Sequence, residues 1–281
     1  MKRKMLVLML LCFSLVVWAT GCASKATATK ETETKEATTK EAEVKESTLN
    51  VFIAASLSNA MNEIQEEYKK QHPEVTILFN ADSSGKLQTQ IEEGAECDVF
   101  MSAAMKQMDK LKEEGLIEQG TDVKLLENQV VLIKAKGAET KVTGFENITE
   151  AKNLALAAED APVGAYAREI FENLGVSDKV MAMEINEGAN VTAVLTAVSE
   201  KSNEVGVVYA TDAATMPDSI EIIATAPEGS LKTPVIYPVG LVKNKEADTD
   251  QTAVAKAFLE YLQSDEATAT FEKYGYLAYK E

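Results

Sequence analysis

Residues 49–61 decide the fold, and they read Leu-Asn-Val-Phe-Ile-Ala-Ala-Ser-Leu-Ser-Asn-Ala-Met. The apolar run over 49–55 is typical of a buried β-strand. Apolar residues then recur at the spacing of one helical face, at Leu57, Met61, Ile64 and Tyr68. The stretch therefore predicts a strand that leads directly into a helix.

The same alternation continues along the rest of the chain. Short apolar runs predict further strands over 75–79, 98–101, 129–135, 205–209 and 235–242. Helical periodicity predicts helices over 165–174, 191–198 and 253–262. Strands that alternate with helices indicate an α/β fold in which helices flank a central sheet. Residues 48–281 are enough for one large domain or two smaller ones.

Small residues and serines gather where a predicted strand end or a loop leads into a helix. Three such junctions are Ala-Ala-Ser-Leu-Ser over 54–58, Asp-Ser-Ser-Gly-Lys-Leu over 82–87 and Ala-Pro-Val-Gly-Ala over 161–165, and Asn190 precedes a fourth helix as a good N-cap. A helix start exposes backbone N–H groups and the positive end of the helix dipole, which favours an anion. A serine before a helix is more often only a cap. The Ser-Ser-Gly-Lys run lacks the spacing of a phosphate-binding loop, which argues against a nucleotide site.

The N-terminus predicts an export signal. Three basic residues at 2–4 precede an apolar run over 5–18, and Ala-Thr-Gly-Cys follows over 19–22. This layout is typical of a secretory signal peptide over 1–21, and it predicts Cys22 as a lipid attachment site on the outer face of the cell membrane. The alternative is an uncleaved N-terminal anchor. Residues 22–47 are predicted to be the lipidated cysteine and a disordered, Lys- and Glu-rich tether.

Charge and residue content exclude several classes of function. The formal net charge of −17 argues against nucleic-acid binding, and it means that an anion site must rely on local dipoles. His72 is the only histidine, and Cys97 is the only cysteine left beside the signal peptide and Cys22. Hydrolytic triads, His/Cys metal sites and an internal disulfide therefore cannot be assembled. The expected class is a binding protein and not an enzyme, although paired carboxylates keep an enzyme open as an alternative.

Five stretches resemble, in order, the periplasmic-type molybdate-binding proteins of ABC importers. They are 51–61, 83–94, 97–103 (Cys-Asp-Val-Phe-Met-Ser-Ala), 205–213 (Val-Gly-Val-Val-Tyr-Ala-Thr-Asp-Ala) and 271–276 (Phe-Glu-Lys-Tyr-Gly-Tyr). The resemblance covers residues 49–281. It implies a two-lobed, type II periplasmic-binding-protein-like fold, with lobe I over 48–127 plus 236–281 and lobe II over 128–235. The chain would cross between the lobes near residues 127–130 and return near 234–237.

The resemblance also implies a ligand set. Ser56 and Ser84 match serines that donate from hydroxyl and backbone N–H groups, Val163 and Val191 match backbone N–H donors, and Tyr209 matches a phenol donor. Asp82 departs from this pattern, since a carboxylate two residues before Ser84 would repel a dianion unless it points away or pairs with Lys86.

The implied function is the capture of molybdate or tungstate by neutral donors between the lobes. A monomer without a cofactor or a separate metal site would then deliver the ion to the permease of an ABC importer and its ATPase. Three alternatives remain. They are a receptor for sulfate or another tetrahedral oxyanion, a carboxylate-based enzyme on the same fold, and a lipid-anchored adhesion or scaffold protein without a ligand.

Overall fold

The computed structural model describes residues 46–280. The signal peptide predicted over 1–21, the lipid attachment predicted at Cys22 and the tether up to residue 45 lie outside the described residues. Within 46–280, no helix combines the length and the apolar character that a membrane crossing requires.

The strands and helices alternate along the chain. The strands are β1 (Ser47–Ala54), β2 (Val75–Asp82), β3 (Val99–Met101), β4 (Val123–Asn128), β5 (Val130–Ala135), β6 (Asn153–Ala157), β7 (Glu184–Gly188), β8 (Val205–Tyr209), β9 (Ile220–Thr225), β10 (Val235–Leu241) and β11 (Leu277–Ala278). The helices are α1 (Ser58–Gln71), α2 (Ser84–Glu92), α3 (Met105–Glu113), α4 (Pro162–Asn173), α5 (Ser177–Met181), α6 (Val191–Ser199), α7 (Ala210–Ala214), α8 (Thr249–Leu262) and α9 (Asp265–Lys273). Short 3-10 segments occupy Ala55–Leu57 and Phe145–Glu150.

The strands form two separate sheets. The first has the order β11-β4-β10-β3-β1-β2, and the second has the order β7-β6-β8-β5-β9. In both sheets parallel pairs adjoin antiparallel ones. In the first sheet β1 runs parallel to β2 and β3, whereas β10 runs antiparallel to β3 and β4. In the second sheet β6 runs parallel to β7 and β8, whereas β5 runs antiparallel to β8 and β9. The predicted α/β fold with two lobes, each a sheet flanked by helices, is confirmed.

The chain passes between the sheets where β4 gives way to β5. Only Gln129 separates the two strands, and the chain returns to the first sheet when β10 begins at Val235. The bounds of the lobes that the sequence predicts, 127/128 and 235/236, stay a prediction beside these strand ends.

The starts of β1, α4 and α8 precede the predicted ones by two, three and four residues, respectively. β1 begins at Ser47 and not at residue 49, so the last residue assigned to the tether is part of the sheet. Ser47 and Thr48 are aligned with β2, and the Ser47 N–H donates to the carbonyl of Glu74 at 3.1 Å. α4 begins at Pro162, three residues before the predicted start, because proline fits the first position of a helix without losing a hydrogen bond.

Cys97 belongs to an apolar cluster beside the first sheet. It is fully buried and free, and it packs with residues such as Leu87, Phe100 and Met108. Burial raises the pKa of the Cys97 thiol, and its Sγ lies 3.3 Å from the carbonyl oxygen of Val99. Cys97 is therefore a small buried residue of this cluster.

Candidate functional site

The strand-to-helix junctions of both lobes meet at one small cavity. Its lining includes all five residues that the resemblance singled out: Ser56, Ser84, Val163, Val191 and Tyr209. Its volume is about 20 Å³, somewhat more than the ~10–15 Å³ that a single water molecule requires. A space of this size suits a compact ion and excludes a nucleotide or a sugar.

Ser84 is presented by the start of α2. Ser83 caps this helix, with its Oγ 3.4 Å from the backbone nitrogen of Lys86, and Ser84 follows as the first helical residue. Ser84 is fully buried, and its Oγ accepts a hydrogen bond from the backbone N–H of Ala103 at 3.0 Å. Because the backbone supplies a donor on one side, the hydroxyl proton of Ser84 is left to donate into the cavity.

Ser56 lies in the 3-10 segment that follows β1, and two tyrosines hold it. Its Oγ is 2.9 Å from Oη of Tyr237, and its carbonyl oxygen accepts a hydrogen bond from Oη of Tyr276 at 2.7 Å. Both rings are buried, and they contact each other edge to face at 5.3 Å between centroids. The first serine of the site is therefore fixed through its side chain and its backbone.

Tyr209 brings a phenol from the second lobe. It is the last residue of β8, and 1% of its surface is exposed. Among the residues that the structure describes, its hydroxyl has no hydrogen-bond partner. Burial raises the pKa of the phenol, so that Tyr209 stays protonated and available as a neutral donor. A buried donor without a partner is costly, unless a ligand supplies the acceptor.

Two helix starts complete the second lobe's side of the cavity. Val163 is the second residue of α4, and Val191 is the first residue of α6. Asn190 caps α6, since its Oδ1 accepts from the backbone N–H of Ala193 at 3.1 Å. First-turn N–H groups have no carbonyl partner within their own helix, so those of Val163 and Val191 are available to bind an anion.

The Asp82 carboxylate lines the cavity, but its oxygens are engaged. Oδ1 accepts from the backbone N–H of Ser83 at 2.7 Å and from Nδ2 of Asn190 at 3.2 Å. Oδ2 lies 3.8 Å from Nζ of Lys86. Asp82 thus pairs with Lys86, which is the arrangement in which a carboxylate at this position is compatible with a bound dianion. The contact with Asn190 also joins the two lobes across the cavity.

A second carboxyl lies behind Tyr209. Asp212, in the first turn of α7, is buried, and its Oδ2 has no hydrogen-bond partner within residues 46–280. Burial raises the pKa of Asp212 to about 7, while hydrogen bonds from the backbone of Tyr209 and Asp212 oppose that shift. Near neutral pH this group is therefore partly protonated, which limits the negative charge behind the site.

Sequence reasoning missed the residues that hold the donors in place. Ala103, Asn128, Tyr237 and Tyr276 were not singled out. No local pattern marks Tyr237, because every residue of β10 is buried and the strand shows no alternation. The Ser-Ala-Ala run after β3 is a junction of the same type as the others, and its small residues could have indicated Ala103.

The lining of the cavity does not suit a cation. In the part of the chain that the structure describes, no group of three or more His, Cys, Asp or Glu side chains could hold a metal ion. Hydroxyls, a phenol and helix-start N–H groups are donors, and donors favour an anion that accepts hydrogen bonds.

Two α/β lobes that share a small, donor-lined cavity define the class of two-lobed solute-binding proteins. The chain belongs to the bacterial extracellular solute-binding proteins, whose family model matches residues 49–277.

Relatives and solved structures agree with this assignment. YvgL of Bacillus subtilis (strain 168), which carries the provisional name of an ABC transporter substrate-binding lipoprotein, is 41% identical over 232 residues, or 82% of this chain and 86% of that protein. The molybdate-binding protein ModA of Haemophilus influenzae is 36% identical, over 82% of this chain and 90% of that protein. The periplasmic molybdate-binding protein of Azotobacter vinelandii superposes with a TM-score of 0.72 at 22% identity, over 83% of this chain and all of that chain, and so shares the fold.

Proposed function

We propose that this protein captures molybdate or tungstate outside the cytoplasm and delivers it to the permease and ATPase of an ABC importer. The observation that carries the proposal is the set of neutral donors around one small cavity, above all the buried Tyr209 hydroxyl, which has no hydrogen-bond partner among the described residues. We propose further that the protein acts as a monomer, is held to the membrane by a lipid on Cys22, and catalyses no reaction.

A fully deprotonated tetrahedral dianion fits this donor set. Each of its oxygens accepts hydrogen bonds and none donates, so the hydroxyls of Ser56, Ser84 and Tyr209 can all point inward. A hydrogen bond to a charged partner contributes about 1.5–3 kcal/mol. A few such bonds, with the dipoles of α4 and α6, offset much of the energy that dehydration of the ion costs.

The names of the relatives support the choice of ion and partner. A molybdate-binding protein and a lipoprotein of an ABC transporter cover more than four fifths of this chain. Closure of two lobes around an ion would bury it and would also offer a permease a shape that differs from the open, empty receptor.

Calorimetry of the exported protein with four anions tests the proposal. Molybdate and tungstate should bind tightly. Sulfate should bind more weakly, because its shorter bonds do not reach all of the donors at once, and phosphate should bind most weakly of the four, because it carries a proton near neutral pH. If sulfate binds more tightly than molybdate, the proposed ligand is wrong. If none of the four anions binds, the proposed receptor function is wrong.

Substitution of Ser84 should weaken molybdate binding. Ser84→Ala removes one charge-assisted hydrogen bond, so the affinity for molybdate should fall ~10- to 100-fold, the equivalent of about 1.5–3 kcal/mol. The domain should stay folded, because alanine is compatible with the first turn of α2. Calorimetry measures the affinity, and thermal unfolding measures the stability.

A matched control is Ser230→Ala. Ser230 is buried, as Ser84 is, with 3% and 0% of their surfaces exposed. The Ser230 hydroxyl, however, donates to the carbonyl of Pro227, and Ser230 does not line the cavity. Its loss should lower stability slightly and leave the affinity unchanged. If Ser84→Ala and Ser230→Ala bind molybdate equally well, Ser84 is not a ligand.

A further inference from the structure

A chain of hydrogen bonds connects Ser56 to the point where the chain crosses between the sheets. We infer that Asn128 and Tyr237 orient the Ser56 hydroxyl as a donor to the bound anion, and thereby make the site reject protonated oxyanions. The inference rests on the proposed function and deepens it, because it assigns part of the specificity to two residues that do not line the cavity.

The chain begins at Asn128, whose amide can be oriented in only one way. Asn128 ends β4 and is buried, and its Oδ1 accepts from the backbone N–H of Gln129 at 2.8 Å. A flipped amide would place two donors against each other at this contact. Nδ2 therefore faces the other side, where it lies 2.8 Å from Oγ1 of Thr211 and 3.3 Å from Oη of Tyr237. An amide nitrogen only donates, so both oxygens are its acceptors.

The direction of the next hydrogen bond follows from this orientation. Oη of Tyr237 accepts from Asn128, and we assign its single proton to Oγ of Ser56, which lies 2.9 Å away. Tyr237 is fully buried, and burial raises the pKa of its phenol, so it keeps that proton. Ser56 Oγ is then the acceptor, and its own proton is left for the cavity.

The Ser84 hydroxyl is oriented in the same way, but by a backbone donor. Its Oγ accepts from the backbone N–H of Ala103 at 3.0 Å, which likewise leaves its proton for the cavity. A serine hydroxyl that can rotate could either donate or accept, and it could accept the proton of hydrogen phosphate. Each of these two serines already accepts one hydrogen bond at Oγ, so one of its two lone pairs is occupied and a protonated anion has only the other to compete for. The fixed donors therefore favour the orientation in which the hydroxyls of the first lobe donate to the anion.

Tyr237→Phe tests the inference. Without the phenol, Ser56 can rotate and accept, so the affinity for molybdate should fall while the affinity for inorganic phosphate rises. The ratio of the two affinities, measured by calorimetry near neutral pH, should fall at least tenfold. A purely structural role of Tyr237 would weaken both anions alike and leave the ratio unchanged, which would overturn the inference.

Tyr276→Phe is the matched control. Tyr276 is another buried tyrosine beside Ser56, but its hydroxyl donates to the Ser56 carbonyl, at 2.7 Å. The affinity ratio should therefore be unaltered in this variant. A change in the ratio as large as that of Tyr237→Phe would mean that general packing around Ser56, and not the direction of one hydrogen bond, determines the preference.

A double-mutant cycle separates an effect through Ser56 from any other. In a Ser56→Ala background, Tyr237→Phe should leave the ratio unchanged, because the hydroxyl on which Tyr237 acts is absent. An equally large change in that background would overturn the inference.

Asn128→Asp is the second test of the inference, to be used if the Tyr237→Phe variant does not fold. An ionised carboxylate only accepts, so Tyr237 would donate to it and Ser56 would donate to Tyr237, away from the anion. Molybdate binding should weaken at least tenfold while the acceptor for the Gln129 N–H is kept, and unchanged binding would overturn the inference.

The outcome for wild type keeps the two proposals distinct. If wild type binds sulfate in place of molybdate, the proposed ligand is wrong, and the same ratio is measured with sulfate. If molybdate binds and Tyr237→Phe does not change the ratio, only the orientation of Ser56 is refuted. If no oxyanion binds to wild type, both proposals fail.

Discussion

Gly85→Ala should weaken molybdate binding at least tenfold without unfolding either lobe. Gly85 lies in the first turn of α2, and a Cβ at this position would lie 2.9 Å from the carbonyl carbon of Asp160 and 3.0 Å from its Cβ. The carbonyl oxygen of Asp160 would be closer still. Asp160 precedes α4 in the second lobe, so the clash is with the opposite lobe and not within α2. A backbone carbonyl cannot rotate away like a side chain, so the lobes would have to separate.

The stability of Gly85→Ala should not fall together with its affinity for molybdate. Alanine is more favourable than glycine inside a helix by about 0.5–1 kcal/mol, because glycine loses more backbone freedom on folding. The free energy of unfolding without an anion should thus stay constant or rise slightly. Calorimetry gives the affinity, chemical denaturation gives the stability, and small-angle scattering with excess molybdate should show a less closed molecule.

Thr89→Ala is the control for this prediction. It alters an exposed residue of the same helix, so it changes the surface of α2 without adding an atom at the boundary between the lobes. Its affinity should equal that of wild type. If Gly85→Ala also binds like wild type, the approach of Gly85 to Asp160 is not a condition for binding.

The contacts between the lobes lie close to the proposed donors. Gly85 adjoins Ser84 in the chain, and Asp82 accepts from Asn190 across the cavity. Asn190 also caps α6, whose first N–H is a predicted donor. Closure of the lobes and placement of the donors therefore depend on the same few residues, which explains why a change of one methyl group at Gly85 should affect binding more than folding.

The sequence predicts those parts of the site that depend on local patterns. Small residues between a strand end or loop and a helix start mark the junctions that hold Ser56, Ser84 and Val163, and Asn190 marks the start of α6. Each of these signals lies within a few residues of the chain. The resemblance adds Tyr209 and the expectation that the junctions meet.

Local sequence patterns do not predict the long-range contacts of the site. Asn128 and Tyr237 are 109 residues apart, and Asp82 and Asn190 are 108 apart, so neither pairing leaves a local pattern. β7 was missed for a different reason: it is a mostly exposed edge strand with the sequence Glu-Ile-Asn-Glu-Gly, and it has no apolar run. Ser47 and Thr48 are likewise polar, and they join β1 through backbone pairing with β2.

Gly164→Ala should destabilise the protein, in contrast to Gly85→Ala. A Cβ at this position would lie 2.8 Å from the carbonyl carbon of Ala157, and closer to the carbonyl oxygens of Ala157 and Ala158. These atoms belong to the same lobe, in the last residue of β6 and the residue after it, so no movement of the lobes relieves the clash. Overpacking of this kind typically costs about 1–3 kcal/mol.

The cost at Gly164 should reach or exceed the upper part of that range. α4 would have to move away from β6, although Nη1 of Arg168 ties the two together with hydrogen bonds to the carbonyls of Ala157 and Gly164 at 2.8 and 2.9 Å. The melting temperature should fall by roughly 2–4 °C for each kcal/mol lost. Ala165→Gly, the control at the next position, should cost only the helix propensity of about 1 kcal/mol. A Gly164→Ala variant as stable as wild type would mean that α4 can move on β6 at little cost, and the backbone N–H of Val163 could then not be a fixed donor.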